Sequence, residues 1–248
     1  MKKYFSFGFG IILLGTIILF LIQNHNFKQN DYQSKAEITC DCVLNKLPKR
    51  DEQRKLTKNV SLSSTKNDLS EILGDNCNIP ANILDTLAII DVEFLGFDSL
   101  IHNGLLIVNK GVINEVQQIF LLLLKERFPI EKIYPMTLYD WSDLNSMKDN
   151  NTSCFNYRNK VHGHSLSMHA YGLAIDINPM LNPYLNIKSG KITPDKATYD
   201  LSKKGTIHAN SIVVKIFEQY GWHWGGYWKS NKDYQHFEKV IRSSSKKH

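Results

Sequence analysis

The chain has 248 residues, 42% of them hydrophobic and 22% charged, with a formal charge of +6. That length holds one sizeable domain or two small ones, and the composition is that of a globular protein. Six of the basic residues (Lys2, Lys3, Lys28, Arg242, Lys246 and Lys247) lie in end pieces without acids, leaving 24 basic against 24 acidic residues between positions 29 and 240; so balanced a body has no basic stripe for a phosphate backbone and excludes nucleic acid as the expected partner.

Two lysines precede an uncharged, mostly apolar run from Tyr4 to Ile22. A helix needs about 20 such residues to span a bilayer. A cleaved signal peptide would have an apolar core of about 7–15 residues and a small-x-small cleavage site. Here QNHNFKQNDYQ follows instead. Residues 1–28 therefore read as an uncleaved, single-pass anchor in the cytoplasmic membrane. The lysines favour a cytoplasmic N-terminus, which puts the rest of the chain in the periplasm or cell envelope. Residues 29–83 are polar, with KLPKRDEQRKLTKN and SLSSTKND as solvated stretches, and read as a juxtamembrane linker with short helices. Cys40 and Cys42 are too close to bridge each other comfortably. An oxidising compartment permits a bond from Cys77 to either, and with Cys154 three connectivities are open. The CDC spacing suits zinc poorly, and free buried cysteines are the alternative.

The body is expected over 84–241, followed by a basic tail, 242–248. LAIIDVEFLGFD and GLLIVN, rich in Ile, Val, Leu and Phe, predict two strands joined by a turn around His102, Asn103 and Gly104. Val112 to Phe128 predicts an amphipathic helix stopped by Pro129. IEKIYPM predicts a short strand, WSDLNSMKDNNTS a polar connection and FNYR a short extended piece. Ile207 to Tyr220 predicts a second helix ended by Gly221, and QHFEKVI a last strand. The alternation implies an α+β fold, an antiparallel sheet with helices packed on one side.

Two stretches carry chemistry. In SLSMHAYGLAIDINP, strand alternation puts Ala174, Asp176 and Asn178 on one side and Leu173, Ile175 and Ile177 on the other. The apolar side goes to the core, so Asp176 faces a cleft or solvent. Gly172 allows a tight turn that folds His169 back over the same face. A His and an Asp together are ligands that zinc accepts, and a catalytic zinc needs three with one position open. The second stretch, GWHWGGYWKSNKDYQHFEK, offers a third ligand in His236, which shares a strand face with Glu238. Standing alone, His236 would read as a packed or surface histidine. Gly221 to Trp228 holds three tryptophans and three glycines, which suits either a rigid aromatic wall for a substrate or a core corner.

SMHAYGLAID resembles the SxHxxGxAxD pattern of zinc D,D-peptidases of the VanX/VanY type. DYQHFE, preceded by GWHWGGYW, is similar to the second motif of the branch that holds L-alanyl-D-glutamate peptidases and D-alanyl-D-alanine carboxypeptidases. FPIEKIYPM, SMKDNNTSCFNYR and DINPMLNPY are similar to that branch as well, so the resemblance covers roughly Leu95 to Val240. It implies a Hedgehog/D,D-peptidase-like α+β fold, Zn2+ held by His169, Asp176 and His236, and Asp233 as general base. It implies action on peptidoglycan peptides outside the membrane, as a carboxypeptidase or an L-Ala-D-Glu type endopeptidase. The alternative is a catalytically silent cell-wall-binding module that keeps the fold. Arg158 matches a family arginine that could hold a substrate carboxylate or stabilise an oxyanion; a structural ion pair is the other reading. Ser167, which opens the first motif, and Trp224 in the aromatic stretch are the further candidate substrate contacts. The family often has Asp-Arg where this chain has Asp200 and Leu201, which puts contacts from that loop in doubt. His162, His164 and His223 read as rim or surface.

Overall fold

The structure is a computed structural model that describes residues 66–74, 78–160 and 163–241. The apolar N-terminal run, most of the linker, Cys40, Cys42, Cys77, His162 and the basic tail lie outside those residues. Among the described residues, no helix is long and apolar enough to cross a membrane.

Two short helices, α1 (Lys66–Leu73) and α2 (Ala81–Leu84), precede a long hairpin of β1 (Leu87–Leu95) and β2 (Ile101–Asn109). The strands pair antiparallel from Leu87 with Asn109 to Leu95 with Ile101. Both faces of the hairpin are covered, which explains why its sequence reads as a nearly unbroken apolar run. Ile90, Val92, Phe94, Leu106 and Val108 enter the main core. Leu87, Ile89, Leu105 and Ile107 form a second core with Leu69, Leu73, Ile79, Ile83 and Phe155.

The hairpin turn lies at Gly96 to Leu100, not around His102, Asn103 and Gly104. Gly96 N–H donates to the Leu100 carbonyl at 2.8 Å, and Leu100 N–H donates to Asp98 Oδ1 at 3.1 Å. Asp98 supplies the turn chemistry that the sequence reading assigned to Asn103 and Gly104. Gly104 instead sits in the ladder opposite Val92. A Cβ there would lie 2.4 Å from the Cβ of Ile133, so this strand glycine marks a close approach.

Helix α3 (Ile113–Lys125) buries Val116, Ile119, Phe120 and Leu123. It is shorter than the expected Val112 to Phe128. A 3-10 turn at Lys110–Val112, capped by the Asn109 side chain, precedes it, and Arg127 takes φ 55° before Phe128 and Pro129. The residue ahead of a proline avoids the helical region, so the helix stops early. The short strand β3 (Lys132–Ile133) pairs in parallel with β4 (Asn151–Thr152). Between them, the stretch expected as a polar connection contains α4 (Asp143–Lys148). Ser142 caps it by accepting from Asn145 N–H.

The remaining elements are β5 (Ala174–Asp176), β6 (Tyr184–Asn186), β7 (Ile192–Thr193), α5 (Ile212–Gln219), β8 (His223–Trp224), β9 (Asn231–Asp233) and β10 (His236–Glu238). Helix α5 starts five residues later than expected. Ile207 N–H is taken by Asn182 Oδ1 at 2.6 Å, which holds that residue in a loop, and Ser211 is the N-cap. In place of one expected sheet there are several small ones, mostly antiparallel. Strand β10 lies between β5 and β8, and β6 lies between β7 and β9.

Candidate metal centre

The register of β5 against β10 builds the site. His236 pairs directly with Asp176, so alternation places both side chains on one face. Strand β5 is buried throughout. It ends at Asp176 rather than running through Asn178, whose backbone turns left-handed at φ 47°. The Asn178 side chain braces the segment between α3 and β3: Oδ1 accepts from Glu131 N–H at 3.1 Å and Nδ2 donates to Pro129 O at 2.9 Å.

His169 arrives from a 3-10 turn, Met168–Tyr171, capped by Ser167 and closed by Gly172 at φ 63°. A Cβ on Gly172 would lie 2.6 Å from the Asn109 backbone nitrogen. Only glycine fits both that conformation and that approach, so the turn docks on the end of β2 and aims His169 at Asp176.

The three side chains converge. His236 Nδ1 lies 2.9 Å from Asp176 Oδ1, His169 Nε2 lies 3.3 Å from Asp176 Oδ2, and the two imidazole nitrogens are 3.2 Å apart. One ligand atom from each residue lies within 4.8 Å of the others. All three residues are buried.

The outward nitrogens decide the tautomers. His169 Nδ1 faces the Cys154 carbonyl at 2.6 Å, an acceptor only, so Nδ1 carries the proton and Nε2 turns a lone pair inward. His236 Nε2 faces Glu238 Oε2 at 3.3 Å, so it too carries a proton, and Nδ1 is the inward atom. Such outer acceptors orient metal-binding histidines. Two inward nitrogens and a carboxylate need a cation among them. Without a metal, a proton on His236 Nδ1 plays that part: burial works against the charge, but Asp176 and Glu238 outweigh it and push the imidazole up to about 10. Burial likewise opposes ionisation of Asp176, yet His169 and His236 hold its carboxyl well below the usual range. The donor set fits a divalent metal that takes nitrogen and oxygen ligands.

Asp233, at the end of β9, is close enough for the charges of His236, Asp176 and His169 to act on it. Burial raises its carboxyl to about 7, against the pull of His236. Its Oδ1 is buried without a hydrogen-bond partner among the described residues. Strand β9 reaches this place because Gly225 has no side chain; a Cβ there would lie 2.7 Å from the Asp233 carbonyl oxygen and 3.3 Å from the His236 Cβ.

Arg158 is ion-paired through Nε with Asp143, and Nη1 donates to the Asn159 carbonyl at 3.2 Å. The same Asp143 accepts from Asn156 Nδ2 at 2.7 Å, so the arginine is anchored to α4 and the loop before His169. Ser167 is buried, its hydroxyl accepting from His169 N–H at 3.4 Å. Trp224 is only 3% exposed, and its indole N–H donates to the Tyr234 carbonyl at 2.9 Å. Neither side chain is at the surface. His164 and His223 are exposed, and His223 pairs with Glu238 in the sheet. The sequence reading missed the Cys154 carbonyl, Glu238 as the acceptor for His236, and Asp143 as the partner of Arg158. Only Glu238 had a legible signal, since it lies two residues from His236 on the same face.

No curated protein and no solved structure matches the chain. Residues 161–239 match a family model described as D-alanyl-D-alanine carboxypeptidase. The match covers about a third of the chain; it includes the three convergent residues and Asp233 and begins after Arg158. The match agrees with the family that the two motifs of this segment resemble.

Proposed function

We propose that this protein is a zinc-dependent peptidase that cleaves peptidoglycan stem peptides outside the cytoplasmic membrane, tethered there by residues 1–28. The observation that carries the reading is the convergence of His169, Asp176 and His236: Cys154 and Glu238 face the outward imidazole nitrogens, so a metal that displaces the inward proton of His236 meets two nitrogens and a carboxylate. The match of 161–239 to D-alanyl-D-alanine carboxypeptidase supports the reaction class.

His169 Nε2, Asp176 and His236 Nδ1 would hold the zinc, which supplies a Lewis acid when bound. Asp233 does the proton work. Its buried, unpartnered Oδ1 takes a proton from the attacking water and gives it to the leaving amine. Burial, which raises its pKa, makes it a better proton acceptor than a solvated carboxylate; a bound dication pulls the value back down. Arg158, steadied by Asp143, orients a substrate carboxylate.

The test is incubation with purified peptidoglycan, with and without a chelator, followed by mass analysis of the released fragments. Chelator-sensitive release of D-alanine or of a cut stem peptide is expected, and the fragment masses identify the bond. Intact peptides in both arms would favour a binding module instead.

A further inference from the structure

The stretch Gly221 to Trp228 divides in the structure. Trp222 and Trp224 are 1% and 3% exposed and belong to the main core. Trp228 does not: it is 36% exposed. Its ring centroid lies 5.2 Å from that of His236, with the planes at 54°. Among the described residues its indole N–H has no partner, whereas the indoles of Trp222 and Trp224 donate to Glu115 and to the Tyr234 carbonyl.

The backbone explains this placement. Gly225 packs on the Asp233 carbonyl and the His236 Cβ, and Gly226 packs against the Trp224 ring. Trp228 N–H donates to the Gly225 carbonyl at 3.1 Å, closing a 3-10 turn, Gly225–Tyr227. Gly225 thus lets the turn press onto Asp233 of β9 and His236 of β10, Gly226 lets it press onto the Trp224 ring, and Trp228, the residue after the turn, emerges beside His236. A large, partly exposed aromatic beside His236, with an indole N–H that has no partner among the described residues, combines an apolar platform with a polar handle.

We propose that Trp228 is a substrate-positioning residue: its indole face packs on the methyl group of the alanyl residue at the scissile bond, and its N–H donates to a peptide carbonyl of the same substrate. The inference rests on the peptidase reading and adds a specificity determinant to it. Trp228 holds no proton in the reaction and binds no metal, so its role is separable from those of Asp233 and the three ligands.

The experiment compares alanyl with glycyl stem peptides on the zinc-loaded full chain, for the parent, Trp228→Phe and Trp228→Ala. Equilibrium binding to zinc-loaded Asp233→Asn protein, with and without Trp228→Ala, runs in parallel. In the parent, one methyl on an aromatic face gives a preference for alanyl over glycyl of roughly 10-fold, the low end for a pocket. In Trp228→Ala that preference collapses towards one, KM for the alanyl peptide rises about 10-fold with kcat little changed, and zinc content stays at the parent level. Trp228→Phe keeps the methyl preference and binds more weakly, since it keeps a face and loses the donor.

A methyl preference that survives in Trp228→Ala overturns the assignment, and so does loss of zinc, which would make Trp228 a support for His236. Binding with the methyl preference but without cleavage by the parent overturns the peptidase reading and leaves Trp228 standing. Cleavage without the preference does the reverse. No binding and no cleavage overturns both.

Discussion

Glu238→Ala tests the outer shell of the metal centre. Glu238 is the acceptor that keeps the proton of His236 on Nε2, at 3.3 Å, with its side chain 25% exposed. The imidazole in turn holds the Glu238 carboxyl below its usual value. Metal binding at Nδ1 leaves the ring one proton, on Nε2, and without Glu238 that proton has no acceptor to hold it there and to orient the ring. Hydrogen bonds to charged groups contribute about 1.5–3 kcal/mol. The long distance and partial exposure here argue for the low end, about 1.5 kcal/mol, which is slightly more than tenfold in affinity. That agrees with the roughly 10–100-fold loss known for outer acceptors of metal-binding histidines. Competition against a chromogenic chelator near neutral pH reads the zinc affinity, and turnover is then measured at saturating zinc. Glu238→Ala is expected to bind zinc about tenfold more weakly with turnover largely kept. Glu238→Gln, which retains a carbonyl acceptor, is expected to lose less. Zinc affinity within about twofold of the parent in Glu238→Ala would refute the tautomer reasoning.

His169→Ala and His236→Ala each leave two ligands and are expected to lose most of the bound zinc by metal analysis; full zinc in both would remove the triad assignment. Asp233→Asn keeps the shape of the base without its proton acceptor and is expected to hold zinc while turning over roughly 100-fold more slowly or worse; weakened zinc with near-normal turnover would make Asp233 an orienting residue. Asp91, in the middle of β1, has a buried Oδ1 without a partner, and burial raises its pKa above 3.8. Ionisation is thus disfavoured in the fold: the cost is absent below about pH 3.8 and complete above the raised native value. Asp91→Val is therefore expected to stabilise the domain near neutral pH by about 1 kcal/mol, the low end for an unsatisfied buried acceptor that is only partly enclosed. The gain should shrink in acid, and thermal melts showing a loss at neutral pH would contradict it.

The convergence of His169, Asp176 and His236 was legible because short-range patterns set the direction of each side chain. Alternation along LAIDIN and QHFE put Asp176 and His236 on definite faces, and Gly172 announced the turn that returns His169. What alternation could not say is that the two strands pair register to register, His236 on Asp176. The outer contacts were less visible. The Cys154 carbonyl is main chain, which has no signature in residue type, and Asp143 meets Arg158 only because α4 folds under the loop. Among the tryptophans, residue type alone could not separate core from rim. Trp224, a candidate substrate contact, is buried, and Trp228 is 36% exposed, with a 3-10 turn at Gly225–Tyr227 between them. The misplaced hairpin turn has the same origin: Gly104 was read as conformational freedom, whereas the structure uses its lack of a side chain to admit Ile133.

X-ray absorption at the zinc edge of the metal-loaded full chain tests the identity of the centre most directly. The first shell is predicted to contain only nitrogen and oxygen at roughly 2.0–2.2 Å, with imidazole scattering from two histidines. A sulfur neighbour at about 2.3 Å would place the zinc on the cysteines instead and contradict the His169, Asp176 and His236 site.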